Sequence, residues 1–134
     1  MKAQDLFLDR AFFKGNYLAL CTKEELFTKF LNYIDYPKED RLDWVSEGAN
    51  ATTHTIELDG NFFSIVCIKP PPEHISGIEI AALLVHEAVH IWQNMMEHIN
   101  ERNPSKEFEA YSIQTISSTL MNAYVEQTSM TPKR

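Results

Sequence analysis

The sequence predicts an α+β fold, with helices packed on a small antiparallel sheet. Three observations lead there. Apolar residues recur at helical spacing in a short segment near residue 30 and in two long segments beyond residue 76. Between them lie two strand-like runs joined by Asp59-Gly60. The resulting order is helix, hairpin, long helix, long helix, in which helices and hairpin are segregated along the chain. The 134 residues make one domain's worth of protein, 1–134, and no period of about 20–50 residues repeats within them. The proportions, 44% hydrophobic and 23% charged, suit a globular chain that buries one core.

Residues 1–20 are rich in aromatics (Phe7, Phe12, Phe13, Tyr17) and end in the apolar run Tyr17 to Leu20, without a pattern that decides between helix and strand. The aromatics read as core. Thr22 with Glu25 three residues on has the form of a capping box. Leu26, Phe27, Phe30, Leu31 and Ile34 then predict an amphipathic helix over about 22–35. Tyr36-Pro37 stops it, because the residue before a proline is pushed out of the helical region. Thr53 to Leu58 alternates as a half-buried strand does, and Asn61 to Ile68 is rich in β-branched and aromatic residues. Asp59-Gly60 suits a tight hairpin turn, since glycine tolerates the positive φ that the turn demands. Pro70-Pro71-Pro72 ends the second strand. A long helix follows from about Ser76 to Asn100. After a polar break and Pro104, Ser105 can cap a last helix over about 105–127, and the tail, residues 128–134, is expected to fray.

Twelve basic residues against 19 acidic ones give a net charge of −7, which argues against a nucleic-acid or anionic-membrane binder. The longest apolar run, Ile80 to Val85, falls far short of the roughly 20 residues that span a bilayer. Charged side chains interrupt the N-terminal apolar stretch, so no signal peptide is expected and a cytoplasmic location is the default. Cys21 and Cys67 lack CxxC spacing and read as two buried, reduced thiols.

The first long helix carries His86-Glu87-Ala88-Val89-His90. Residues four apart lie about 40° apart on a helix, one turn along, so both imidazoles project from one face. Two neutral imidazoles so placed can take two corners of a tetrahedral zinc. Glu87, offset by about 100°, can reach a metal-activated water without being a ligand, as a general base must. The flanking residues, Ile80 to Val85, Ala88-Val89 and Ile91-Trp92, are apolar nearly all round, which predicts a buried central helix. His86, Glu87 and His90 would then be buried polar groups in need of a shared partner.

HExxH followed after eighteen residues by Glu109 resembles the gluzincins, zinc peptidases of thermolysin-like and aminopeptidase type. The run His86 to Trp92 resembles the family's HExxHxW, and Phe108-Glu109-Ala110-Tyr111 resembles the segment around its third ligand. The chain also looks like small phage-encoded or prophage zincin-like proteins with similar "LLVHEAVHIWQ" and "EFEAYSIQ" segments. The resemblance implies a minimal zincin-like domain. It implies Zn²⁺ held by His86, His90 and Glu109, with Glu87 as general base in peptide-bond hydrolysis. It further implies a peptide or protein substrate lying along an edge of the hairpin 53–68, most naturally its second strand, as an added strand. Only 25 residues follow Glu109, too few for the second subdomain that walls the cleft in larger gluzincins. The resemblance therefore also admits a zincin-fold binding or inhibitory protein with a non-catalytic zinc site.

Glu107 competes with Glu109, but residues two apart point about 200° away from each other on a helix. Glu109 shares the apolar stripe of Ile113, Ile116 and Leu120, whereas Glu107 shares that of Tyr111, Gln114 and Ser118. Glu109 is therefore the expected ligand and Glu107 a solvated first-turn carboxylate. His98 lies two turns beyond His90, too far to share an ion, and reads as a surface residue. His54 and His74 are weaker candidates. Tyr111 and Tyr124 are possible oxyanion donors whose alternative role is packing.

Overall fold

The computed structural model describes residues 1–8, 15–70 and 76–129. Phe12, Phe13, His74, the Pro71-Pro72 loop and the tail from Met130 lie outside the described residues. The fold is α+β. The strands are β1 (Phe7–Leu8), β2 (Asn16–Cys21), β3 (Ala51–Leu58) and β4 (Asn61–Ile68). The helices are α1 (Glu24–Tyr33), α2 (Gly77–His98) and α3 (Lys106–Thr128), with short 3-10 turns at Ala3–Leu6 and Lys38–Asp40.

The four strands form one sheet in the order β1-β2-β4-β3. It is mixed, which corrects the expectation of a purely antiparallel sheet. β3 and β4 form the expected hairpin, with Leu58 opposite Asn61 and both turn residues at positive φ, Asp59 at 52° and Gly60 at 82°. That is the primed turn whose twist matches the strands it joins. β2 then pairs in parallel with the other edge of β4, Asn16 opposite Phe62 through Cys21 opposite Cys67. The parallel pair was hidden because residues 1–20 carry no clear period.

Both faces of the sheet are covered. α1 packs Phe27, Phe30 and Leu31 on Ala19, Cys21, Ile65 and Cys67. α2 and α3 pack Leu84, Ala88, Ile91, Trp92, Ile116 and Leu120 on Leu18, Leu20, Val66 and Ile68. A strand buried on both faces reads as a continuous apolar run, which is why β4 lacks the alternation of β3. The cysteines are fully buried and reduced, as expected. Burial, reinforced by the neighbouring Cys21 thiol, pushes the Cys67 thiol far above its ordinary range.

The helix ends follow side-chain chemistry. Ser76 caps α2 in a capping box with Glu79, and Ser105 accepts from the Phe108 amide at 3.1 Å to cap α3. The box read at Thr22 and Glu25 does not form. α1 starts after Lys23, and the Thr22 hydroxyl donates instead to Gln127 Oε1 of α3 at 2.9 Å. The Gln127 amide in turn donates to the Leu20 carbonyl at 2.6 Å, tying the end of β2 to α3. Among the described residues no helix is long and apolar enough to cross a membrane.

Candidate metal centre

α2 is less enclosed than its composition suggests. Leu84, Glu87, Ala88, Ile91, Trp92 and Met95 are buried, while Ile78, Val85, His86 and His90 are exposed. The sheet and α3 cover two sides of the helix and leave a third open. The expected buried polar trio therefore reduces to one buried residue, Glu87, at 6% exposure.

The histidine pair itself has the expected form. His86 and His90 face each other with their Nε2 atoms 3.2 Å apart. Two nitrogens on adjacent corners of a tetrahedral zinc, at Zn–N of about 2.0–2.1 Å, stand roughly 3.3–3.4 Å apart. The pair thus fits one edge of a zinc shell. Beside it opens a cleft of about 420 Å³, lined from α2 by His86, Glu87, His90 and Asn94. Its opposite wall is Ser46, Ala49 and the start of β3, from Ala51 to Thr53.

Glu87 turns toward β3, where the Thr53 hydroxyl donates to its Oε1 at 2.5 Å. One step along, Asn94 Nδ2 donates to Thr55 Oγ1 at 3.1 Å, and further on His98 Nδ1 lies 3.5 Å from Glu57 Oε1. Alternate residues of β3 thus meet α2 at points two turns and then one turn apart, because strand side chains alternate faces. Neither threonine was singled out by the sequence. The only available signal was the even spacing of Thr53, Thr55 and Glu57 on one face.

β3 is the outer strand of the sheet. The two-residue turn makes Leu58 and Asn61 a hydrogen-bonded pair, so Thr53, Thr55 and Glu57 direct their backbone groups away from β4. The second strand of the hairpin, on which a substrate was expected, has no such outer edge. β4 is bonded on both sides, so among the described residues the outer edge beside the histidines belongs to the first strand of the hairpin.

Glu109 does not join the pair. Its Oε2 accepts from the Trp92 indole nitrogen at 3.3 Å, and Phe108 packs edge-on against the Trp92 ring. Glu109 is exposed rather than inward-facing as its apolar stripe predicted, although its carboxylate reaches the Trp92 ring of α2. Trp92, however, lies about 200° round α2 from His90, so the carboxylate sits on the opposite flank. Among the described residues no group of three or more His, Cys, Asp or Glu forms a shell for a metal. His54 is buried elsewhere, stacked on Phe27 and donating to the Trp44 carbonyl at 2.9 Å. His98 stacks on Phe62. Neither Tyr111, at 64% exposure, nor Tyr124, whose hydroxyl pKa is raised by burial, lines the cleft.

Comparison with protein-family models, with curated proteins and with solved structures finds no match to this chain.

Proposed function

We propose that the protein is a zinc-dependent peptidase whose centre is His86, Glu87 and His90. The observation that carries it is the pair of Nε2 atoms held 3.2 Å apart at the mouth of a cleft, beside the outer strand of the described sheet. His86 and His90 would hold the ion. Zinc bound there would act as a Lewis acid, polarising a peptide carbonyl and lowering the pKa of water to near neutral. Glu87, with Oε1 held by Thr53, has Oε2 for the proton given up by the attacking water and then passed to the leaving amine. The outward amide and carbonyl groups of β3 would bind an extended peptide by main-chain hydrogen bonds. Elemental analysis tests the metal: purified protein should carry about one zinc per chain, and His90→Ala should lose most of it. Screening a peptide library with and without a chelator tests the reaction.

A second function has one observation in its favour. Glu109 is engaged by Trp92, which leaves two protein donors among the described residues where a gluzincin has three. That suits a zincin-fold binding or inhibitory protein, with a non-catalytic zinc and a partner strand on the edge of β3. Stoichiometric zinc with no cleavage of any library peptide would select it.

A further inference from the structure

We propose that Thr53 is a positioning residue for Glu87, holding one carboxylate oxygen so that the other stays presented to the cleft shared with His86 and His90. This rests on the peptidase function above and adds a residue outside the HExxH segment to its machinery. Glu87 is almost wholly buried, yet it lines the cleft. Its Oε1 accepts the Thr53 hydroxyl, and Oε2 takes no hydrogen bond from any described residue. The two oxygens are thus differentiated, one anchored and one available.

The anchor is well placed to be rigid. Thr53 stands on a strand paired along its length with the central β4. Its β-branched side chain is stiff at χ1, so the backbone of β3 largely sets the direction of the hydroxyl. Glu87, by contrast, has three side-chain torsions that burial alone does not fix. The Thr55–Asn94 contact repeats the arrangement two strand residues further on. Glu87 and Asn94 are seven residues apart, about 20° in azimuth on α2. The helix therefore presents one stripe to the Thr53-Thr55-Glu57 face of β3, and Thr53 is the member of that series opposite the base. Such support matters because a reacting group displaced by about 1 Å can lose on the order of 100-fold in rate.

The experiment compares Thr53→Val, which keeps the shape and removes the donor, with Thr53→Ser, which keeps the donor. Crystal structures of the zinc-loaded proteins should show the Glu87 carboxylate displaced in Thr53→Val and in place in Thr53→Ser. On the best library peptide, Thr53→Val should lower kcat by about tenfold or more with KM within about twofold, and Thr53→Ser should restore it. In a Glu87→Gln background Thr53→Val should have no further effect on kcat. If Thr53→Val does not fold, Thr53→Ala, which leaves room for a water at the lost hydroxyl, takes its place. An unmoved Glu87 in the donor-less variant, or an undiminished kcat, overturns the proposal. If the wild type cleaves no peptide, the peptidase function fails, and the crystal structures alone decide whether Thr53 positions Glu87.

Discussion

Replacing Glu87 with glutamine should stop proton uptake at this position while leaving the fold nearly intact. The side chain is 6% exposed, so its volume is set by packing, and glutamine is close to isosteric. The Thr53 hydroxyl donates to Oε1 at 2.5 Å, and the amide oxygen of a glutamine can accept the same bond. What is lost is the charge assistance. A hydrogen bond to a charged group contributes about 1.5–3 kcal/mol and a neutral one about 0.5–1.5 kcal/mol, a difference on the order of 1 kcal/mol. Part of that is offset, because a neutral amide costs less to bury than a carboxylate. In a chain of this length about 1 kcal/mol corresponds to roughly 3–5 °C of melting temperature, so the shift should stay below about 5 °C. A lost general base typically costs about 10²–10⁴ in rate, at least about 2.7 kcal/mol of barrier. The assay is the initial rate on the best library peptide, with zinc content measured on the same preparations. Chelator-sensitive cleavage at the wild-type rate in Glu87→Gln would refute the assignment of the base.

Three further outcomes are expected. Leu84→Ala should cost about 2–5 kcal/mol, since Leu84 is 1% exposed beneath α2, while Val85→Ala on the open face should stay within about 0.5 kcal/mol; equal effects in urea titrations would mean that α2 is rotated from its described facing. Glu109→Ala should lower stability by about 1 kcal/mol through loss of the Trp92 acceptor, with zinc content unchanged. Loss of zinc from that variant by elemental analysis would bring the carboxylate into the metal's shell. Cys21 and Cys67 should resist an aromatic disulfide reagent at pH 8 in the native protein and both react in denaturant. Because the folded Cys67 pKa is raised, the stability from burying its neutral thiol is complete below the ordinary value near 9 and is lost as pH rises past it. Denaturant midpoints should therefore fall above about pH 9, and a flat profile there would contradict that linkage.

The local parts of the fold were legible because local chemistry sets them. Asp59-Gly60, Ser76 and Ser105 each mark a turn or a helix start within a few residues, and the structure places all three where the sequence does. The parallel pairing of β2 was not legible, since Asn16 meets Phe62 through packing on both faces and no local signal marks it. The candidate site divides in the same way. His86, Glu87 and His90 are related by helix geometry alone, and the pair converges as that geometry requires. Glu109 depends on which flank of α2 receives α3. Spacing along α3 could not give that flank, and the carboxylate bonds the Trp92 indole instead of joining the pair. Thr53 belongs to another element altogether, so only the tertiary structure brings it to Glu87.

The parallel pairing of β2 with β4 also has a consequence in time. The β3–β4 hairpin needs only a two-residue turn and can close in about 1–10 microseconds. β2 reaches the other edge of β4 only by closing the chain from Asn16 to Phe62, and such non-local pairings form slowly. Until it docks, β4 exposes an unpaired edge along the apolar run Phe62 to Ile68, without the threonines that make the edge of β3 polar. That transient edge is the place where two incompletely folded chains would pair with each other. During refolding at high concentration, misassembly should therefore begin at β4, even though the native sheet keeps that strand in its centre.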